Sequence, residues 1–148
     1  MSKGSPSSLY KKILAPFDGS PGSSKALRRA LVLAKSQGAE VTAFSVDEHM
    51  PRYAPAFGEV EEEKELRESE FEQLRGQAEA VAREEGAPIE TETMIGHAAQ
   101  SIVRFAEEQG FDLIVIGHSG RSGVWGTLLG STTARVVDQA LCDVLVVR

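Results

Sequence analysis

Long apolar runs are absent from this 148-residue sequence, and cysteine occurs once. No stretch approaches the ~18 consecutive apolar residues that a membrane-spanning helix requires. The first residues, MSKGSPSSLYKK, contain no apolar core of the kind that secretion signals have. The single Cys142 excludes a disulfide within the chain, and its place beside an apolar strand predicts an unreactive core thiol. We therefore expect a cytoplasmic protein that does not act at a membrane.

Positive charge is also scarce, because 16 Lys and Arg residues stand against 22 Asp and Glu residues, which gives a net charge of −6. Residues 59–85 alone hold eleven acidic and four basic residues. They lie on a predicted helix, where such charge is typical of a solvated face. The sequence contains no basic stripe, so nucleic acid is not expected as a partner.

Apolar segments and helical periodicities alternate along the chain. Strands are predicted at residues 13–17, 41–46, 89–95, 113–116 and 144–147, with helices at about 21–35, 61–85, 98–109 and 131–140. Most of these strands are apolar throughout, which indicates a parallel sheet covered by helices on both faces, the doubly wound α/β class. Residues 89–95 alternate instead and predict an edge strand with one solvent-exposed face.

The same pattern predicts one domain at residues 11–148 after a flexible tail at residues 1–10. Ser20 before Pro21 predicts the start of the first helix, and Gly38 predicts its end. Residues 49–58 are rich in proline, glycine and aromatic residues, and they predict a surface loop or lid.

The most informative stretch runs from residue 117 to residue 131, between an apolar strand and a helix. It contains five glycines and ends at Ser131, followed by Thr132 and Thr133. Glycines allow positive φ and bring backbone N–H groups close to a ligand, and a helix start adds unpaired donors. Ser131 and Thr132 can cap the helix or bind phosphate. A Walker loop is excluded because no lysine precedes Ser131, and the dinucleotide fingerprint G-x-G-x-x-G is absent. The stretch predicts a phosphate site of another kind.

Three motifs in order resemble the universal stress protein family. They are the spacing Gly117-x2-Gly120-x9-Gly130-Ser131, the segment KILAPFDGS that begins at Lys12, and the segment CDVLVVR that begins at Cys142. The resemblance implies the strand order 3-2-1-4-5, which reverses between strands 1 and 4, where such sheets bind ligands. Asp18 and Gly117 follow these two strands, so the general rule and the motif select the same crevice.

The resemblance further implies a nucleotide-responsive sensor or switch that binds ATP, with Mg²⁺ or Mn²⁺ held through the phosphates. It implies a homodimer through the last strand, from Val144 to Val147. The nucleotide-binding residues that follow from the resemblance and from the glycine-rich stretch are Pro16, Phe17, Asp18, Val46, Ile116, Gly117, His118, Gly120, Arg121, Gly130, Ser131, Thr132 and Thr133.

Two departures from the family pattern leave questions open. Phe17 is bulkier than the small residue usual beside this aspartate, and it either stacks on adenine or partly fills its slot. His118 and Ser119 stand in the reverse of the usual order.

Asp18 has two interpretations, as a ligand contact or as a cap of its own turn.

Two other functions compete with the ATP-binding switch. An adenylating enzyme would need a Ser-Gly-Gly-x-Asp-Ser loop after the first strand, but the chain reads Asp-Gly-Ser-Pro-Gly-Ser there. The second alternative is a dimeric interaction module without a ligand. No catalytic base or nucleophile pair is visible near the glycine-rich stretch, so we do not expect fast catalysis.

Overall fold

The structure is a computed structural model that describes residues 8–48, 57–119 and 128–148, with the backbone alone for residues 57–60. Strands and helices alternate through these ranges. Their bounds are β1 Lys12–Pro16, α1 Pro21–Gln37, β2 Glu40–Asp47, α2 Phe57–Glu85, β3 Glu90–Ile95, α3 Ala98–Glu108, β4 Leu113–Gly117, α4 Ser131–Gln139 and β5 Asp143–Val147.

The five strands form one parallel sheet in the order β3-β2-β1-β4-β5. The expected fold class and strand order are therefore confirmed. Alternate residues of β1 are buried on opposite faces of the sheet. Ile13 and Ala15 pack with α1 and α2, whereas Leu14 packs with residues of α3 and α4. Burial of both faces explains why the central strands are apolar throughout.

The first helix has the limits that the sequence predicts. Ser20 is its N-cap and accepts a hydrogen bond from the backbone N–H of Ser23 over 3.1 Å, and Pro21 is the first helical residue. Gly38 ends the helix with φ of 68°, a left-handed conformation that favours glycine. Ser20 and Pro21 fix where the chain leaves β1 and enters α1. The start of α1 forms one wall of the site described below.

Three details differ from the sequence prediction. Strand β3 exposes residues on both faces rather than one, because it is the edge strand and the helices pack mainly over its inner neighbours. Helix α2 begins at Phe57, so residues 57 and 58 are helical, while the rest of the predicted loop lies outside the described residues. The helical spacing of apolar residues predicts both Val136 and Val137 on the buried side of α4, but Val136 is buried and Val137 is 46% exposed.

The N-terminal segment is attached to the domain from Ser8 onward in the described part of the chain. The Ser8 hydroxyl donates to the carbonyl of Gln37 over 2.7 Å, and the side-chain oxygen of Gln37 accepts from the backbone N–H of Tyr10 over 3.1 Å. Residues 8–10, which the sequence assigned to a flexible tail, are therefore bound to the end of α1. Within the described ranges, no helix combines the length and apolar character that crossing a membrane demands.

Two glycines allow the start of α1 to pack against the end of β4. A Cβ on Gly22 would lie 2.5 Å from the carbonyl oxygen of Ser119, and a Cβ on Gly117 would lie 2.9 Å from the backbone carbon and oxygen of Gly22. Both neighbours are backbone atoms that cannot rotate away. Gly117 does not have positive φ, so the structure explains this glycine by close packing rather than by backbone conformation.

This contact predicts the effect of Gly22→Ala. We expect the variant to lose about 1–3 kcal/mol of unfolding free energy, the usual cost of overpacking, because α1 must move away from β4. Urea denaturation followed by circular dichroism measures the loss. Gly76→Ala is the matched control, since Gly76 is helical and a Cβ there meets no atom within 4 Å. Equal urea midpoints for Gly22→Ala and wild type would contradict the packing argument.

Candidate functional site

A cavity of about 500 Å³ lies at the carboxyl ends of β1, β2 and β4. It occupies the point where the strand order reverses, between β1 and β4, which is where ligands bind in open α/β sheets. The volume falls within the range of about 300–1,000 Å³ that is usual for sites of small molecules. The beginnings of α1, α3 and α4 all contribute residues to its wall.

Ten of the thirteen predicted positions line this cavity. They are Pro16, Phe17, Asp18, Val46, Ile116, Gly117, Gly130, Ser131, Thr132 and Thr133. Gly120 and Arg121 lie outside the described residues. His118 does not line the cavity, because its side chain is buried and its backbone N–H donates to the carbonyl of Val147 over 2.8 Å. His118 thus extends the pairing of β4 with β5.

One side of the cavity is apolar. Its wall is formed by the side chains of Phe44, Val46, Ile102 and Ile116, which belong to the core on the α3 and α4 face of the sheet. The Phe44 ring stacks on Phe105 of α3, with ring centroids 4.4 Å apart and planes only 4° from parallel. A flat aromatic ligand could lie against this wall, in which Val46 is the half-buried side chain and the other three are buried.

The opposite side of the cavity is the beginning of α4. Gly130 is the N-cap, with φ of −60° and ψ of 149°, and no side chain caps the helix. Neither Ser131 nor Thr132 therefore has the capping role that the sequence allowed. The first N–H groups of a helix have no acceptor within it and carry the positive end of the helix dipole, so this end of the cavity suits an anion.

Two groups expected to bind phosphate are engaged elsewhere. The Gly130 N–H donates to the carbonyl of His118 over 2.9 Å, and the Thr133 hydroxyl donates to the carbonyl of Gly117 over 2.7 Å. Both bonds connect the start of α4 to the end of β4. Among the described residues at this end of the cavity, the remaining donors to an anion are the backbone N–H groups of the first turn and the hydroxyls of Ser131 and Thr132.

Asp18 holds its own turn and also lines the cavity. Its Oδ1 accepts a hydrogen bond from the backbone N–H of Ser20 over 3.0 Å, which holds the turn after β1. Its own N–H donates to the hydroxyl of Ser23 over 3.3 Å. The residue also lines the cavity. The turn therefore holds the carboxylate at the cavity wall.

The Phe17 ring packs in the core. Its side chain is only 3% exposed and belongs to the core beneath α1 and α2, on the face of the sheet away from Phe44 and Ile116. Phe17 is also among the residues that line the cavity, so both interpretations of its role toward adenine stay predictions.

Sequence reasoning missed part of the lining, including two carboxylates at the end of β2. Asp47 lies 3.4 Å from the Nε of Arg67 on α2, and Glu48 accepts a hydrogen bond from the backbone N–H of Ala98 over 2.7 Å. The carboxyl ends of parallel strands share one edge of a sheet, and this rule could have drawn attention to both residues. The other missed lining residues are Ser20, Ser23, Phe44, Ala98, Ile102 and Ser119.

Two ionisable groups near β5, away from the cavity, have shifted pKa values. The Tyr10 hydroxyl donates to the carboxylate of Asp143 over 2.8 Å, and this bond raises the pKa of Tyr10. Burial raises the pKa of the Cys142 thiol, which therefore stays protonated at neutral pH. Within the residues that the structure describes, no three side chains of His, Cys, Asp or Glu form a group able to hold a metal ion.

Comparison with known proteins gives consistent matches along almost the whole chain. The model of the universal stress protein family matches residues 9–148. A universal stress protein of Methanocaldococcus jannaschii is 42% identical over 141 residues, which span 95% of this chain and 83% of the relative. The universal stress protein UspA from Lactobacillus plantarum is 31% identical with a TM-score of 0.80, over 94% of this chain and 98% of the other. A universal stress protein crystallised in complex with cAMP is 27% identical with a TM-score of 0.73, over 94% and 97% of the two chains.

Proposed function

Because this chain belongs to the universal stress protein family, we propose that it binds an adenine nucleotide, ATP, in the cavity at the carboxyl ends of β1, β2 and β4. Binding makes it a cytoplasmic sensor or switch in the response to stress. A single domain, residues 11–148, holds the nucleotide.

One observation supports this proposal most strongly, namely the division of the cavity into two unlike sides. Phe44, Val46, Ile102 and Ile116 offer an apolar surface for a base. The beginning of α4 offers unpaired N–H donors for phosphate. Asp18 lies in the turn after β1, the strand between β2 and β4, where a carboxylate suits the hydroxyls of a ribose. The relative crystallised with cAMP supports the choice of an adenine nucleotide.

The choice of ATP over nucleotides with fewer phosphates is supported by the length of the glycine-rich stretch that precedes α4. From the sequence we expect the N–H groups of its glycines, together with the hydroxyls of Ser131 and Thr132, to serve more than one phosphate group. In the ranges that the structure describes, no protein group is suited to hold a metal by itself. Mg²⁺ or Mn²⁺ is therefore held mainly through the phosphates, as is usual for Mg²⁺.

Thermal unfolding in the presence of ATP tests the proposal. A ligand that binds only the folded state stabilises it by about 2.7 kcal/mol at one hundred times its dissociation constant. We expect the melting temperature to rise with ATP concentration. Inorganic tripolyphosphate at equal ionic strength is the control, and we expect a much smaller rise because it lacks the base and the ribose. An unchanged melting temperature at millimolar ATP would contradict the proposal.

The proposed switch should hydrolyse ATP slowly, by orders of magnitude below the rates of about 1–10³ per second of typical enzymes. The N–H donors of α4 bind the phosphates about equally well in the ground state and in the transition state of hydrolysis. They therefore increase the affinity for ATP without increasing the rate of its hydrolysis. Among the described residues of the cavity, the charged side chains are the carboxylates of Asp18, Asp47 and Glu48, and none is a cation that could neutralise the developing charge.

Phosphate release measured over hours with saturating ATP checks this rate. Asp18→Asn is the informative variant, since the amide oxygen still accepts the N–H of Ser20 and keeps the turn. We expect the slow rate to be the same in both proteins. Release at about 1 per second that disappears in Asp18→Asn, with ATP affinity retained, would show that the protein is an enzyme.

We further propose that two copies pair through β5. This strand lies at one edge of the sheet, and Leu145 on it is 40% exposed. An edge strand with apolar residues presents unpaired backbone groups that normally require a cover. A second copy of β5 in antiparallel orientation would provide that cover around a two-fold axis.

A further inference from the structure

Glu48 lies at the end of the cavity that the proposed function assigns to the base. The phosphates are assigned to the start of α4, next to β4, and the sheet order places β2 on the far side of β1 from that point. A nucleotide with its phosphates at α4 therefore directs its base toward β2. The cavity residues there are Phe44, Val46 and Asp47 of β2, with Glu48 directly after the strand.

The two carboxylates that follow Val46 are directed to opposite sides of the sheet. Asp47 faces Arg67 on α2, whereas Glu48 contacts Ala98 on α3. The α3 side is also the side of Phe44 and Val46, the apolar wall against which a base can lie. Glu48 is therefore the carboxylate that shares a side of the sheet with the base.

The contact with Ala98 fixes one oxygen of Glu48 and leaves acceptor capacity on the other. Its Oε2 accepts the backbone N–H of Ala98 over 2.7 Å. The side chain of His97, the N-cap of α3, makes no capping hydrogen bond, so Glu48 supplies the cap from a different element. An ionised carboxylate can accept about four hydrogen bonds, so Glu48, which lines the cavity, retains acceptor capacity on Oε1.

We infer that Glu48 determines base specificity by accepting a hydrogen bond from the 6-amino group of adenine through Oε1. This inference rests on the proposed function. A carboxylate attracts the amino group of adenine and repels the 6-carbonyl oxygen of hypoxanthine. Guanine is best recognised by both oxygens of a carboxylate together, through its N1–H and its 2-amino group. Because Oε2 already accepts the N–H of Ala98, its bond to guanine would be weaker than the bond of a free oxygen, and we expect the site to favour adenine.

The Glu48→Gln variant tests the inference by exchanging an acceptor for a donor. The N–H of Ala98 needs an acceptor and therefore retains the amide oxygen, which directs the amide NH₂ toward the base. We expect wild type to bind ATP at least about tenfold more tightly than inosine triphosphate. One hydrogen bond to a charged group contributes enough free energy to produce a difference of this size in affinity. In Glu48→Gln, the ratio of the two affinities should fall at least about tenfold, with inosine triphosphate binding as well as ATP or better.

Isothermal titration of both proteins with ATP, inosine triphosphate and GTP gives these ratios. The matched control is Glu40→Gln, the same exchange at the opposite end of β2, and its ratios should equal those of wild type. If Glu48→Gln binds ATP tightly and its affinity ratios equal those of wild type, the inference about Glu48 is wrong but the proposed function stands. A wild type that binds GTP better than ATP would overturn the inference as well. Absence of binding of all three nucleotides to wild type would instead overturn the proposed function.

Discussion

Gly130→Val should lower the affinity for ATP at least about 100-fold, which corresponds to about 2.7 kcal/mol, and leave the fold intact. Gly130 lines the cavity as the N-cap of α4. A branched side chain there would occupy the space in which phosphate meets the N–H groups of the first turn. The backbone itself accepts valine, because φ of −60° and ψ of 149° lie in the region that β-branched residues populate. The bond from its N–H to His118 is also retained.

Calorimetric titration with ATP measures the loss, and the fluorescence of Trp125, the only tryptophan, gives a second signal. Gly76→Val is the control, since it adds the same side chain to α2 at a place where a Cβ meets no atom within 4 Å. We expect the control to bind ATP as wild type does. Equal ATP affinity in a folded Gly130→Val protein would show that the phosphates do not bind at the start of α4.

Val146→Pro should convert the proposed dimer into monomer or aggregate. The N–H of His118 donates to the carbonyl of Val147, so the backbone groups of Val147 point toward β4. Successive residues of a strand point in opposite directions, and the N–H of Val146 therefore points to the open edge of the sheet. Proline at residue 146 removes this outward donor without breaking a bond between β4 and β5.

Light scattering at micromolar concentration and above gives the mass of each protein. Val146→Ala is the control because it shortens the side chain but retains the N–H, and it should remain dimeric at the higher concentrations. A wild-type mass equal to that of one chain, about 15.9 kDa, at every concentration would contradict pairing through β5.

The sequence predicts the fold well because strands that are buried on both faces consist almost entirely of apolar residues. Residues of β1 and β4 are apolar on both faces, which identifies a sheet covered on both sides. Proline and glycine at Pro21 and Gly38 mark the limits of α1. The exposure of β3 was missed because alternation along an edge strand does not reveal whether a helix covers its apolar face.

The sequence predicts where the cavity lies, but it does not predict several of the contacts that form it. Asp18 and Gly117 end adjacent strands, so topology alone brings them together. The reason for Gly117 is its contact with Gly22, which is 95 positions earlier and leaves no pattern in the sequence. The role of Glu48 likewise depends on the distant N–H of Ala98. Contacts of this kind require the packed structure.

A crystal structure of the wild-type protein grown with ATP tests the central proposal most directly. We expect difference density for one nucleotide per chain, with its phosphates at the N–H groups of Ser131 and Thr132. The base should lie against Val46 and Ile116, with its amino group toward Glu48. Density for ATP elsewhere on the molecule, or an empty cavity at saturating ATP, would contradict the proposal.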